Sequence, residues 1–211
     1  MSEKYIVGFD PGGINAFGWA VLSGTRDQLT FIASGTCSSA ENAIEDVSAK
    51  CLLPPVAVGI DAPLVWAKSG DRKCDETVRG LVLNAALATG RRASSGTVSH
   101  VNSLRGACLV QGVLVATFAA ERWPRTQITE THPKALRWIY PGLRIPHGCP
   151  SDIESRDHEW DAVIAAYSAF KFVQGAPEWD DLYKKEPDPF RPCQHPVAYW
   201  FPVRAQNGLF C

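Results

Sequence analysis

Residues 5–22, YIVGFDPGGINAFGWAVL, constrain the fold of this chain more than any other stretch. Residues 5–9 are mostly apolar and β-forming, which predicts a buried strand that ends at Asp10. The Pro-Gly-Gly that follows predicts a tight turn, and residues 17–22 predict a second strand antiparallel to the first. A carboxylate at the end of a buried strand is costly to desolvate, and a bound cation is the usual solution. Hydrogen bonds to the turn that it begins would also account for Asp10.

A second strand that ends in an acid follows further along the chain. Residues 29–36 predict a third strand of an antiparallel meander, and residues 40–52 predict an amphipathic helix. Residues 56–60, VAVGI, form another apolar run, which ends at Asp61. Neighbouring strand ends can bring two carboxylates together, and their repulsion then raises a pKa or requires a cation between them. Asp10 and Asp61 together therefore indicate a functional site more strongly than either does alone.

Charge is distributed unevenly along the chain. Its 211 residues, enough for one substantial core, carry a formal net charge of -1. Residues 62–107 nevertheless contain seven Lys or Arg against three Asp or Glu. The basic residues of this stretch are Lys68, Arg72, Lys73, Arg79, Arg91, Arg92 and Arg105. They are explained either as the solvated charges of an insertion or as contacts to an anionic substrate.

The second half of the chain adds two further acids and a histidine to this pattern. A short strand ends at Glu130, and His132 follows it beside a proline, where it is either a ligand or a structural hydrogen-bonding residue. Residues 157–173 predict a helix with a wide apolar surface. His158 and Asp161 are three residues apart in its first turn, hence on one face that can reach the strand ends.

Other features bear on location and on the end of the chain. Seven scattered cysteines, an odd number, favour reduced thiols over a disulfide framework. The start lacks the pattern of a secretory signal, and no apolar run approaches the ~20 residues of a membrane span. We therefore expect a cytoplasmic protein with no membrane partner. The Pro- and Trp-rich residues 176–211 predict an extended tail that packs on the domain, with an edge strand near residues 197–201.

The order of these elements resembles the ribonuclease H-like superfamily, in which an antiparallel three-strand meander continues into parallel strands of one mixed sheet, with flanking helices. More closely, VGFDPGG, GIDAPL, TETHP and HEWDA resemble the family of predicted nucleases known as domain of unknown function four-twenty-nine. The resemblance covers about residues 5–173. It implies an α/β domain of ribonuclease H-like fold at residues 1–175, with a helical, basic insertion at about 62–107 and an extension at 176–211.

The sequence His158-Glu159-Trp160-Asp161 also resembles the H-x-x-D form that ends the acidic set of the RuvC-type resolvases. The resemblance implies that the catalytic residues are Asp10, Asp61, Glu130, His158 and Asp161. Of these, Asp10, Asp61, Glu130 and Asp161 would hold Mg²⁺ or Mn²⁺. Those resolvases typically carry Glu on the middle strand, where this chain has Asp61. The assignment of Asp61 and Glu130 as ligands is therefore left more open than that of Asp10 and Asp161.

The expected activity is metal-dependent hydrolysis of phosphodiester bonds in DNA or RNA, because carboxylate oxygens favour these ions, which activate water. The residues expected to contact backbone phosphates are Arg72, Lys73, Arg79, Arg91, Arg92 and Arg105. Two other interpretations stay open. One is an actin-like ATPase or sugar kinase, whose phosphate loop resembles GFDPGG but which normally needs two such domains. The other is a non-catalytic, nucleic-acid-binding protein of this fold. Junction-cutting relatives by fold act as dimers, so a homodimer is a further open prediction.

Overall fold

The computed structural model describes residues 4–25, 28–67, 72–93, 97–98, 106–140, 143 and 146–203. The helices in these ranges are α1 (Ala40–Ser48), α2 (Lys73–Thr89), α3 (Gly106–Arg122), α4 (Pro133–Ile139) and α5 (Asp157–Gln174). The strands are β1 (Lys4–Asp10), β2 (Phe17–Gly24), β3 (Leu29–Cys37), β4 (Ala57–Ile60), β5 (Trp66–Ala67), β6 (Gln127–Glu130), β7 (Trp179–Asp181), β8 (Pro189–Phe190) and β9 (Val197–Pro202).

Most of the strands form one mixed sheet, in the order β3-β2-β1-β4-β6-β9-β7. The first three strands of the chain make the antiparallel meander that the sequence predicts. Strands β1, β4, β6 and β9 then run parallel to one another. Strand β7 is antiparallel to β9 at the far edge, while β5 and β8 pair with each other away from this sheet. The predicted α/β fold of ribonuclease H-like type is therefore confirmed.

The end of the chain does not form the edge strand that its sequence predicts. Strand β9 lies inside the sheet, between β6 and β7, and its Tyr199 and Phe201 are almost completely buried. A short run rich in apolar and aromatic residues suits an edge or an interior position equally well. The interior position of β9 depends on its pairing with β6, which is distant in the sequence, and with β7, which pairs with its other edge.

Helix α5 packs on one face of the sheet at unusually close range. A side chain at Gly8 would overlap the backbone carbonyl of Ala162, and one at Gly59 would overlap that of Ala165. The sequence allows this approach because glycines on β1 and β4 face alanines on α5, so two backbones meet without bulky side chains between them. The close contact fixes the first turn of α5 near the strand ends.

Helix boundaries follow the sequence signals in part. Helix α2 ends at Gly90, which caps it in the left-handed conformation that glycine favours, with a φ of 66°. Helix α1 starts after Ser39, whose side chain accepts a hydrogen bond from the Asn42 backbone, but it ends at Ser48, earlier than predicted. No helix in the described ranges is both long enough and apolar enough to cross a membrane.

Candidate functional site

Asp10 and Asp61 lie side by side at the carboxyl ends of β1 and β4. Phe9 is in register with Ile60, and the Asp61 backbone N–H donates to the Phe9 carbonyl at 2.9 Å, which extends the ladder by one residue. Side chains alternate between the two faces of a strand, so Asp10 and Asp61 share the face of Gly8 and Gly59. That is the face on which α5 packs.

The first turn of α5 adds two more of the predicted site residues. His158 Nδ1 lies 2.6 Å from Asp10 Oδ2, a hydrogen bond that joins α5 to the end of β1. Asp161 is buried, and it is close enough to Asp10 and Asp61 for their charges to interact. The structure therefore brings four of the five predicted catalytic residues together. We call Asp10, Asp61 and Asp161 the carboxylate cluster.

Glu130 is the predicted residue that the structure places elsewhere. It is in register with Ile60, so its side chain belongs to the opposite face of the sheet from Asp61. Only 1% of Glu130 is exposed, and its carboxylate accepts hydrogen bonds from the Leu64 backbone, the Tyr183 hydroxyl and the Arg72 guanidinium. With these donors in place, the carboxylate favours a structural role over that of a metal ligand.

Arg72 is the buried cation that matches Glu130. It donates to both Glu130 oxygens, at 2.8 and 3.0 Å, and also to both Asp75 oxygens, at 2.6 and 2.8 Å. A further hydrogen bond of 2.9 Å goes to the Val65 carbonyl. Only 2% of Arg72 is exposed, so it is not the surface phosphate contact that the sequence suggested. The basic composition of residues 62–107 does not show which of their side chains form ion pairs in the interior.

Burial and neighbouring charges shift the pKa values of the groups in and around the carboxylate cluster. Burial, followed by the charges of Asp10 and Asp161, raises the pKa of Asp61 well above its usual value. Burial also raises the pKa of Asp161 to about 6, although Arg137 opposes the shift. The hydrogen bond to Asp10 raises the pKa of His158 and so favours the imidazolium. Each of these groups therefore holds its proton more tightly than it would in water.

Two cations at the site were missed by the sequence reasoning. Arg137 Nη2 lies 3.0 Å from Asp161 Oδ1, and Lys134 Nζ lies 3.9 Å from Asp161 Oδ2. Both belong to α4, which begins three residues after Glu130. The signal available was their spacing of three residues on a short helix that follows an acid-tipped strand. That signal is weak, and the charge run at residues 62–107 drew the prediction away from it.

A pocket of about 170 Å³ opens at this end of the sheet. Its walls include Asp10 and Asp61 on one side, Lys134 near its rim, and the Arg72–Glu130 pair on the other side. His132 also lines it and makes a 2.7 Å hydrogen bond with the Thr97 carbonyl, which fits the structural interpretation of this histidine.

The other predicted phosphate contacts lie outside the pocket walls. Lys73 is exposed and pairs with Glu76 at 2.9 Å, while Arg79 is partly buried on α2. Arg91 and Arg92 are exposed beyond the end of that helix. Arg105 lies outside the described residues.

The chemistry of the cluster fits a hard divalent cation. In the described ranges, no three His, Cys, Asp or Glu side chains are already grouped as metal ligands. Asp161 Oδ1 is nevertheless buried without a hydrogen bond of standard geometry, although Arg137 Nη2 lies 3.0 Å from it, and burial followed by the charges of Asp10 and Asp161 raises the pKa of Asp61. Oxygen donors of this kind suit Mg²⁺ or Mn²⁺. The residues that could hold such an ion are Asp10, Asp61 and Asp161. His158 would support Asp10 through their hydrogen bond.

Comparison with known proteins gives a family but no characterised relative. No curated protein and no solved structure matches the chain. A family model described as a protein of unknown function (DUF429) matches residues 8–145, which is more than half of the chain. The match contains Asp10, Asp61, Glu130 and Lys134, and it ends before α5. The chain therefore belongs to the DUF429 family.

Proposed function

We propose that this protein is a divalent-metal-dependent nuclease that hydrolyses phosphodiester bonds. The observation that carries the proposal is the meeting of Asp10, Asp61 and Asp161 with His158 at the carboxyl ends of parallel strands, beside a pocket. This is the edge at which open α/β sheets usually bind their ligands. The family is of unknown function, so the proposal rests on the site alone.

Each residue at the site would have a separate role in hydrolysis. Asp10, Asp61 and Asp161 would hold Mg²⁺ or Mn²⁺, which supplies an activated water and neutralises charge on the phosphate. His158 would orient Asp10 through their 2.6 Å hydrogen bond. Lys134, at the pocket rim and largely exposed, would contact the non-bridging oxygens of the phosphate. Glu130 and Arg72 would support the opposite wall.

The ATPase or kinase alternative fits the pocket less well. Pockets for ligands of nucleotide size usually enclose about 300–1,000 Å³, whereas this one encloses about 170 Å³. A nucleic-acid chain needs only its scissile phosphate at the cluster, so a small pocket suits it better. We also place the protein in the cytoplasm, which the free thiols of the described cysteines support. The homodimer stays a prediction.

A cleavage assay tests the proposal. Single-stranded, duplex and branched DNA and RNA are incubated with the protein in Mg²⁺, in Mn²⁺ and in EDTA. We expect cleavage that requires metal and is lost in Asp10→Asn and Asp61→Asn. The matched control is Asp152→Asn, an exposed acid whose ion pair is with Arg156 and which is not a member of the cluster. Absence of cleavage on every substrate by a folded, metal-supplied protein would reject the nuclease and make ATP binding the next measurement.

A further inference from the structure

Helix α4 presents one partly exposed face next to the pocket, and this face carries two cations and an indole that is partly buried. The residues that α4 buries are Pro133, Ala135, Leu136 and Ile139. The others, Lys134, Arg137 and Trp138, are spaced at i, i+3 and i+4 and therefore lie on one side of the helix. The side chain of Lys134 is 61% exposed and that of Arg137 is 36% exposed.

Arg91 extends this face by stacking on the indole. Its guanidinium carbon lies 4.1 Å from the centroid of the Trp138 ring, within the range of a cation–π contact. Arg91 follows the Gly90 cap of α2, and α2 packs against α4. The stack therefore joins two elements, and it adds an exposed, planar cation to the surface. We call Arg91, Lys134, Arg137 and Trp138 the stacking surface.

The stacking surface carries cations beyond those that pair with the carboxylate cluster. Lys134 and Arg137 both pair with Asp161, and the charge of Lys134 also acts on Asp61. Arg91 adds a third positive charge, and Arg92 beside it adds a fourth at the margin. A ligand for this surface should thus be an anion that also offers flat rings for stacking.

Nucleic acid with unpaired bases meets both requirements. Phosphates supply the negative charge, and unpaired bases stack on aromatic rings or on guanidinium planes, each stacked base contributing about 1–3 kcal/mol. The bases of a duplex are already stacked on one another, so a duplex offers this surface its phosphates alone. Lys134 lies at the rim of the pocket, so the surface is continuous with the carboxylate cluster.

We propose that the stacking surface binds single-stranded nucleic acid and directs the strand into the pocket. A base stacks on the Arg91–Trp138 pair, and the phosphates on its pocket side contact Lys134 and Arg137. The inference rests on the proposed function, because it names the substrate form of the same site. The inference differs from the proposed nuclease activity because binding of the strand needs no metal.

Fluorescence anisotropy in EDTA tests strand binding without cleavage. The probes are a labelled oligothymidine of about 12 nucleotides, within the usual site size for single strands, and a labelled duplex of equal length. We expect tighter binding of the single strand. Arg91→Lys keeps the charge but removes the planar stack, and it should weaken single-strand binding about tenfold. Its effect on the duplex should be small.

Arg125→Lys is the matched control, because Arg125 is exposed and precedes the amino end of β6, whereas the carboxylate cluster lies at the carboxyl ends of the parallel strands. It should bind both probes as the unaltered protein does. Lys134→Ala should reduce the slope of log affinity against log salt concentration by the equivalent of about one phosphate contact. Both Arg91 and Lys134 are exposed, so neither substitution removes a buried side chain.

Several outcomes would overturn the inference: equal affinity for single strand and duplex, no effect of Arg91→Lys, or no binding of either probe. Competition by polyglutamate as strong as that by the oligonucleotide would point to an acidic protein partner instead. The two proposals fail separately. Single-strand binding in EDTA without cleavage in Mn²⁺ counts against the nuclease, and cleavage with binding insensitive to Arg91→Lys counts against the stacking surface.

Discussion

Glu130 and Asp61 follow neighbouring parallel strands, yet their side chains belong to opposite faces of the sheet. The reason is a register offset of one residue, since Glu130 pairs with Ile60 and not with Asp61. Asp61 joins Asp10 and Asp161 on the face of α5, while Glu130 meets Arg72 and Tyr183 on the other. Two acids that look equivalent in the sequence therefore have different tasks, one in the carboxylate cluster and one in a buried ion pair.

Glu130→Gln should destabilise the protein by about 3–5 kcal/mol, because it leaves the buried Arg72 with only part of its counter-charge. Urea denaturation at neutral pH measures this free energy of unfolding. Glu76→Gln is the control, since it removes one partner of the exposed pair with Lys73 and should cost at most about 1 kcal/mol. Equal stability of the two variants would contradict a structural role for Glu130.

Asp161→Asn should make the metal-free protein more stable at neutral pH. The folded state raises the pKa of Asp161 from 3.8 to about 6, so it binds this proton more tightly than the unfolded chain does. The contribution of Asp161 to stability is therefore highest below about pH 4, falls as the pH rises to about 6, and stays level above that. At neutral pH, the ionised Asp161 therefore lowers the free energy of unfolding by about 3 kcal/mol. An asparagine at this position does not ionise and would avoid this loss.

Urea denaturation of both proteins in EDTA, at about pH 4 and about pH 8, checks this pH dependence. The advantage of the variant should be largest at about pH 8 and disappear at about pH 4. A variant that is less stable than the original at about pH 8 would show that the ion pair with Arg137 outweighs burial.

His158→Ala should weaken Mn²⁺ binding about 10–100-fold, the usual loss when the partner that orients a ligand is removed. The ligand in question is Asp10, whose Oδ2 lies 2.6 Å from His158 Nδ1. Isothermal titration calorimetry measures the affinity. His147→Ala is the control, because His147 is exposed and its backbone forms hydrogen bonds with Leu29 and Phe31. Unchanged affinity in His158→Ala would remove His158 from the site.

Gly8→Ala should destabilise the protein by at least about 3 kcal/mol, the upper range for overpacking, because the added methyl would overlap the backbone of α5. Gly80→Ala is the matched substitution. Gly80 lies within α2 with open space around it, so alanine should stabilise that helix by about 0.5–1 kcal/mol. The midpoint temperature of thermal unfolding should fall in Gly8→Ala and rise in Gly80→Ala. A well-folded Gly8→Ala would contradict the close packing of α5 on β1.

Local signals in the sequence were enough for much of the fold. The apolar run that ends at Asp10, its turn and the following strand predicted β1 and β2, because strand periodicity and turn residues act over a few neighbours. The spacing of His158 and Asp161 on one helical face, together with the strand ends at Asp10 and Asp61, was enough to predict where four site residues meet.

Only the tertiary structure decided the rest. Whether Glu130 faces the cluster depends on the register between β4 and β6, and a shift of one residue reverses the face of every side chain. Whether Arg72 is a surface cation or a buried one depends on Glu130, 58 residues away. The position of β9 inside the sheet and the approach of Lys134 to Asp161 likewise depend on distant partners. The sequence by itself determined which short segments form strands and helices and which acids end them, while long-range pairing determined which of those acids share a face.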